Sequence, residues 1–117
     1  MQTFTVKRDG DVSLVFDGLL LGSSSSRRPD SDRWFDVDIY RTVGGTYVVS
    51  GAGRSALPGE RDRCWAVTCV EPHEVVRALT RRDEDGVEFI TRTASDALEQ
   101  ASRVDEAVRD AFLKRVA

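Results

Sequence analysis

Residues Trp34 to Ser50 read WFDVDIYRTVGGTYVVS. Two runs of β-branched and aromatic residues flank Gly44-Gly45, a spacing that predicts an antiparallel hairpin closed by a two-residue type I′ or II′ turn. Pairing across that turn sets Val43 opposite Thr46, Tyr40 opposite Val49 and Ile39 opposite Ser50. Phe35, Val37, Ile39, Val43, Thr46 and Val48 then share one face, which reads as core. Asp36, Asp38, Tyr40, Thr42, Tyr47 and Val49 share the other, which can meet water or a partner, or pack its tyrosines under a covering helix.

Working outward, Phe4–Lys7 and Val12–Leu20 predict a first hairpin turned at Asp9-Gly10, a dipeptide suited to positive φ. The polar stretch GSSSSRRPDSDR at 22–33 predicts a mobile loop, and a second polar loop follows at 53–63. CWAVTCV, Cys64–Val70, reads as a buried strand. Glu71-Pro72 opens a short helix carrying Val75, Val76 and Leu79, and Val87–Thr91 predicts a sixth strand.

Thr93 is the predicted cap of a final helix, with Asp96 three positions on. Its apolar stripe is Ala94, Ala97, Leu98, Ala101, Val104, Val108, Ala111 and Phe112, against Glu99, Arg103, Glu106, Arg109 and Lys114 on the other side. Ser102 with Asp105 can cap a second helix, so Ala94–Ala117 is one helix or two in line. Strands followed by helices predict an α+β fold: an antiparallel sheet of about five to six strands covered on one face by a short helix and a C-terminal helix or helix pair.

At 117 residues the chain is expected to form one domain, burying roughly two thirds of its unfolded surface without staples. Seventeen basic against 20 acidic residues leave a net charge of −3, with the two signs interspersed. That balance argues against a nucleic-acid partner, which calls for a basic excess or stripe. The charged N-terminus lacks the apolar core of a signal peptide, and Leu19-Leu20-Leu21 falls far short of a membrane span, so the expected location is the cytoplasm. Cys64 and Cys69, five apart on one strand, point to opposite faces and are read as reduced thiols, not as a disulfide or a metal site.

Motifs for chemistry are weak throughout. Gly18–Gly22 lacks the lysine of a phosphate loop, and Gly51-Ala-Gly53 supplies only two glycines of a dinucleotide fingerprint. His73, the single histidine, sits at a helix start with no G-x-S-x-G elbow anywhere in the chain. Asp36 and Asp38 pair along one strand face, and Asp83-Glu84-Asp85 is an acidic turn that misses the calcium-loop pattern. No catalytic residue, cofactor or metal is assigned.

Two arginine groups stand out. Arg27, Arg28 and Arg33 precede the central hairpin, while Arg54, Arg61 and Arg63 follow it, so both emerge at the end opposite the turn and can converge on an anion. Asp30, Asp32, Glu60 and Asp62 are interleaved with them and can neutralise the patch. The reading carried forward is a small non-enzymatic protein-interaction domain: an adaptor, inhibitor or antitoxin-like partner. Trp34, Tyr40 and Tyr47 are its expected contact residues, and a protein or a second copy of the chain its expected partner. The alternative is a small-ligand or phosphate-binding protein, or an enzyme subunit, using Arg27, Arg28, Arg54 and Arg61. A DNA-binding dimer is the third reading, opposed by Glu99, Glu106 and Asp110 on the final helix.

Overall fold

The computed structural model describes residues 1–116, with side chains described as far as Leu113. Strands β1 (Gln2–Val6), β2 (Leu14–Ser25), β3 (Arg33–Thr42), β4 (Tyr47–Ser55) and β5 (Arg63–Cys69) form one sheet in chain order, each antiparallel to its neighbour. Helix α1 (Pro72–Ala78) follows, then a separate hairpin of β6 (Thr80–Arg82) and β7 (Glu88–Ile90), then α2 (Arg92–Val104) and α3 (Glu106–Val116). The fold is α+β, with the helices on one face of the antiparallel sheet.

The central hairpin is closed differently from the expected two-residue turn. Gly45 N–H donates to Thr42 C=O at 2.9 Å and Thr42 N–H to Thr46 C=O at 2.8 Å, so the loop is Val43-Gly44-Gly45. Gly45 alone takes a positive φ, +89°, as a three-residue loop requires where a type I′ turn would need two such residues. The pairs are therefore Arg41–Tyr47, Tyr40–Val48 and Ile39–Val49, one step from the expected register. A one-residue slip moves every side chain of a strand to the opposite face. Tyr47 and Val49 accordingly join Val37 and Ile39 beneath the helices, while Val48 joins Tyr40 on the other side.

The polar segments are also shorter as loops than their composition predicts. Gly22–Ser25 extends β2 and pairs with Asp36–Ile39, and Gly53–Ser55 extends β4, so the loops reduce to 26–32 and 56–62. Serine is tolerated here because the ladder is a backbone interaction, and Ser23 gains further bonds from its amide to Gln100 Oε1 (3.0 Å) and from its hydroxyl to Asp38 (2.5 Å). Gly22 is needed for another reason. A Cβ there would lie 2.2 Å from Ala97 C=O, so α2 rests directly on the strand backbone.

That contact places the main core. Leu21, Val37, Ile39, Tyr47, Val49 and Cys69 from the sheet meet Val75, Val76, Leu79, Ala94, Ala97, Leu98, Ala101 and Val108 from the helices. On the opposite face β1 and β2 curl over, stacking Phe4, Phe16 and Tyr40 with centroids 4.8–5.7 Å apart around Val6, Val48 and Ala66. The curl is latched: Asp9 N–H donates to Cys64 C=O at 2.9 Å and Asp9 Oδ2 accepts from Cys64 N–H at 3.0 Å.

The terminal helix is two helices. Asp105 breaks it, caps α3 by accepting from Val108 N–H at 3.1 Å, and stays 4 % exposed. Because α2 ends there, Val104 leaves the apolar stripe and is 68 % exposed. The cap of α2 is Thr91, accepting from Ala94 N–H, not Thr93 two positions on. The Lys114 side chain lies outside the described residues.

Burial pushes the Tyr40 and Tyr47 phenols above their ordinary 10.0 and the Cys69 thiol from 9.0 up to about 11. The carboxylates of Asp38, Asp105 and Glu74 act in the same direction on Tyr40, Tyr47 and Cys69 respectively. Each group is held neutral in the fold and ionises earlier when unfolded. For Cys69 that stabilisation is full below about pH 9 and lost as pH rises to about 11, and for the two phenols it is full below their ordinary 10.0 and lost above it. Urea midpoints at about pH 8 and pH 11 should fall on the alkaline side; equal midpoints would refute the assignment.

Candidate functional site

β3 and β4 run past the helices, and their far ends carry the two arginine-bearing loops. At that end Phe35 pairs with Gly53, which pairs with Arg63, so the three share the helix-side face of the sheet. Its neighbour on β4 is a glycine, and its neighbour towards β2 is the small Ser26, whose hydroxyl accepts from Phe35 N–H at 2.8 Å. Phe35 is 60 % exposed in consequence. Around it lies a cleft of about 810 Å³ lined by Ser26, Arg33, Ser55, Glu60, Arg61 and Arg63, with Trp34, Arg54, Asp9 and Gly59 completing the wall.

Its charges fall into two sets. Arg54 is spent on structure, its Nε donating to Asp36 at 2.6 Å and its Nη1 to Asp62 at 2.8 Å, which ties loop 56–62 to β3. Arg33 meets Glu60 through two parallel bonds, Nε to Oε1 at 3.0 Å and Nη2 to Oε2 at 2.7 Å. Ser55 Oγ also donates to Glu60 Oε1, at 2.5 Å. These bonds, with Arg63 nearby, hold the Glu60 carboxyl below its ordinary range and raise Arg33 in turn. Arg61 and Arg63 form no ion pair among the described residues. Both are exposed.

The residues singled out in the sequence disperse. Of Arg27, Arg28, Arg54 and Arg61, only Arg54 and Arg61 reach the cleft, where Arg33 and Arg63 join them. Arg27 lies over the Trp34 ring, 4.5 Å from its centroid, and Arg28 stands in the exposed 28–31 turn. Tyr40 and Tyr47 are 9 % and 2 % exposed, which removes both from the surface as contact residues. Tyr47 instead donates to Asp105 at 3.1 Å, while Tyr40 stacks on the phenylalanines. Trp34 alone of that trio remains at the surface, half-buried on the face opposite Phe35. Phe35, expected in the core, is at the surface instead, and Arg33 and Arg63 belong to the two arginine groups but not to the four arginines expected to bind an anion. Gly53 carried the missed signal: a Cβ there would have only Arg63 C=O nearby, at 4.0 Å, so the face beside Phe35 is open, whereas the face of Gly51 is covered by the Trp65 ring.

Elsewhere the chemistry stays sparse. His73 is exposed on α1 and lines a separate hollow of about 390 Å³ with Arg77, Thr80, Arg82 and Glu88. Cys64 and Cys69 are free thiols on opposite faces of β5. Asp83 Oδ1 accepts from the amides of Asp85 and Val87, so the acidic turn uses its carboxylate to hold its own backbone. No cluster of ligating side chains suited to a metal occurs among the described residues. No helix among them is long and apolar enough to cross a membrane.

The chain matches no family model, no curated protein and no solved structure. Its function must be argued from the cleft itself.

Proposed function

We propose that this is a protein-interaction domain without catalytic chemistry of its own, and that it binds its partner at the open end of the β3–β4 hairpin. The exposed Phe35 carries the reading. A large apolar ring on a rigid strand, ringed by guanidinium groups, combines the side chains most enriched in interface cores with little conformational entropy to lose on docking. Arg27 stacked on Trp34 extends the same composition onto the other face of the strand. His73 lies on a different element, so the cleft offers its serines no base of that kind.

Phe35→Ala should therefore abolish capture of the partner while leaving the fold intact, because the ring contributes little to the core. The check is affinity capture from nuclease-treated lysate, read by mass spectrometry for wild type, Phe35→Ala and a Val12→Ala surface control. A protein held by wild type and the control but released by Phe35→Ala supports the reading. An empty eluate from folded bait, or capture indifferent to Phe35, sinks it. The small-anion alternative has Arg61 and Arg63 in its favour, and a rise in melting temperature with inorganic phosphate would mark it.

A further inference from the structure

Glu60 sits in the cleft as a ligand would. Its carboxylate is received by a two-pronged guanidinium, by a serine hydroxyl and by the field of a second arginine, which is the way proteins recognise carboxylates of partners. Yet Glu60 belongs to a seven-residue loop, 56–62, anchored beyond this by Arg54–Asp62, by the bonds from Ser55 N–H to Asp62 Oδ1 and from Leu57 N–H to Ser55 Oγ, and by the bond from Ala56 N–H to Asp32 C=O. Arg33 keeps two thirds of its side chain exposed, at 66 %. The receiving groups stand on β3, β4 and β5, whereas the occupant is on the loop.

We infer that the cleft binds an acidic polypeptide segment, one carboxylate of which takes the Arg33–Ser55–Arg63 position that Glu60 holds in the free protein, with an adjacent apolar side chain on Phe35. This rests on the protein-binding reading and names the partner's chemistry. Charge complementarity selects the occupant. Asp36 and Asp62 neutralise Arg54 and Glu60 neutralises Arg33, which leaves Arg61 and Arg63 as cationic groups of the lining with no ion pair among the described residues, in a chain that is negative overall. A polyphosphate backbone, with a charge on every residue, would be opposed by Asp9, Asp62 and Glu60 around the same opening. A peptide with a few carboxylates spaced around an apolar residue meets the arginines and avoids them. Glu60 then acts as an internal competitor that lowers affinity for any weakly acidic sequence, which makes binding selective.

The test titrates the blocked peptide EDFDE, its leucine-for-phenylalanine analogue EDLDE and the neutral peptide QNFNQ into full-length protein by calorimetry. Glu60→Gln removes the competitor and is expected to tighten EDFDE binding about five- to tenfold, while Arg63→Ala weakens it by a similar factor and added salt weakens it further. Both side chains are exposed, so both variants should melt close to wild type. QNFNQ binding as well as EDFDE, or Glu60→Gln leaving affinity unchanged, overturns the inference. So does inorganic phosphate displacing EDFDE at equal concentration, which would make this a small-anion site. Peptide failure alongside a Phe35-dependent protein partner would discard the acidic segment and leave the interaction domain standing; failure of both would remove the two together.

Discussion

Asp105→Ala is expected to destabilise the domain by about 3 kcal/mol, the largest loss from any single polar side chain in the described structure. Asp105 is a junction of three elements. Its carboxylate accepts from Tyr47 Oη at 3.1 and 3.2 Å, from Arg41 Nη1 at 3.0 Å and from Val108 N–H at 3.1 Å. Removing it uncaps α3, at a cost of about 1 kcal/mol. It also strands a buried phenol, for a further 1–3 kcal/mol or so. Arg41 contributes less, because its side chain is 47 % exposed and water can replace the carboxylate. The combined effect should appear as a melting temperature lower by roughly 10–15 °C. Asp105→Asn keeps an acceptor for the cap and the phenol and should lose less than half as much. Tyr47→Phe, which leaves the cap untouched, should cost about 1 kcal/mol. If Asp105→Ala melts within 3 °C or so of wild type, the junction does not hold sheet and helices together.

The second large effect comes from the smallest side chain. Gly22→Ala places a methyl 2.2 Å from Ala97 C=O and 3.1 Å from Ala101 N, both backbone atoms of α2, so neither can rotate away. The helix must lift from β2, opening the packing of Ala97, Leu98 and Ala101, each fully buried, against the sheet side of the main core. Overpacking of this kind costs about 2–3 kcal/mol, and Gly22→Val should exceed it. Urea unfolding measures the cost, and the denaturant slope separates a strained native state from a loosened one. Gly53→Ala supplies the contrast. Its methyl would have only Arg63 C=O nearby, at 4.0 Å, so the same substitution two strands away should be nearly neutral.

The element order was legible because hydrophobic periodicity survives in a single chain: alternation over 34–50 reads as strand, and spacings of three and four from Ala94 read as helix. A second helix near Asp105 was visible as an alternative, but its cap is Asp105 itself and not Ser102, whose hydroxyl donates to Leu98 C=O within α2. The register was not legible. Two adjacent glycines can close a hairpin with two residues or with three, and the sequence on either side, apolar on both faces of β4, does not penalise the wrong choice. That ambiguity alone moved Tyr47 from surface to core. Gly22–Ser25 was opaque for a different reason, since its pairing depends on α2 crossing 75 residues further along the chain. At the candidate site, the convergence of two arginine loops followed from the hairpin's geometry. Which guanidinium groups would be spent on Asp36, Asp62 and Glu60, and which left open, depends on distances between strands that no local pattern encodes.

The meander has a consequence for how the chain comes into being. Each strand after the first pairs with the one just synthesised, so the sheet can assemble from the N-terminus with short loops to close at every step. The helical residues that roof its main core, from Val75 to Val108, emerge only afterwards. During that interval Val37, Ile39, Tyr47 and Val49 form an uncovered sticky surface on a nascent sheet, and the short time before α2 arrives is when the chain is most exposed to aggregation or to a chaperone's grip.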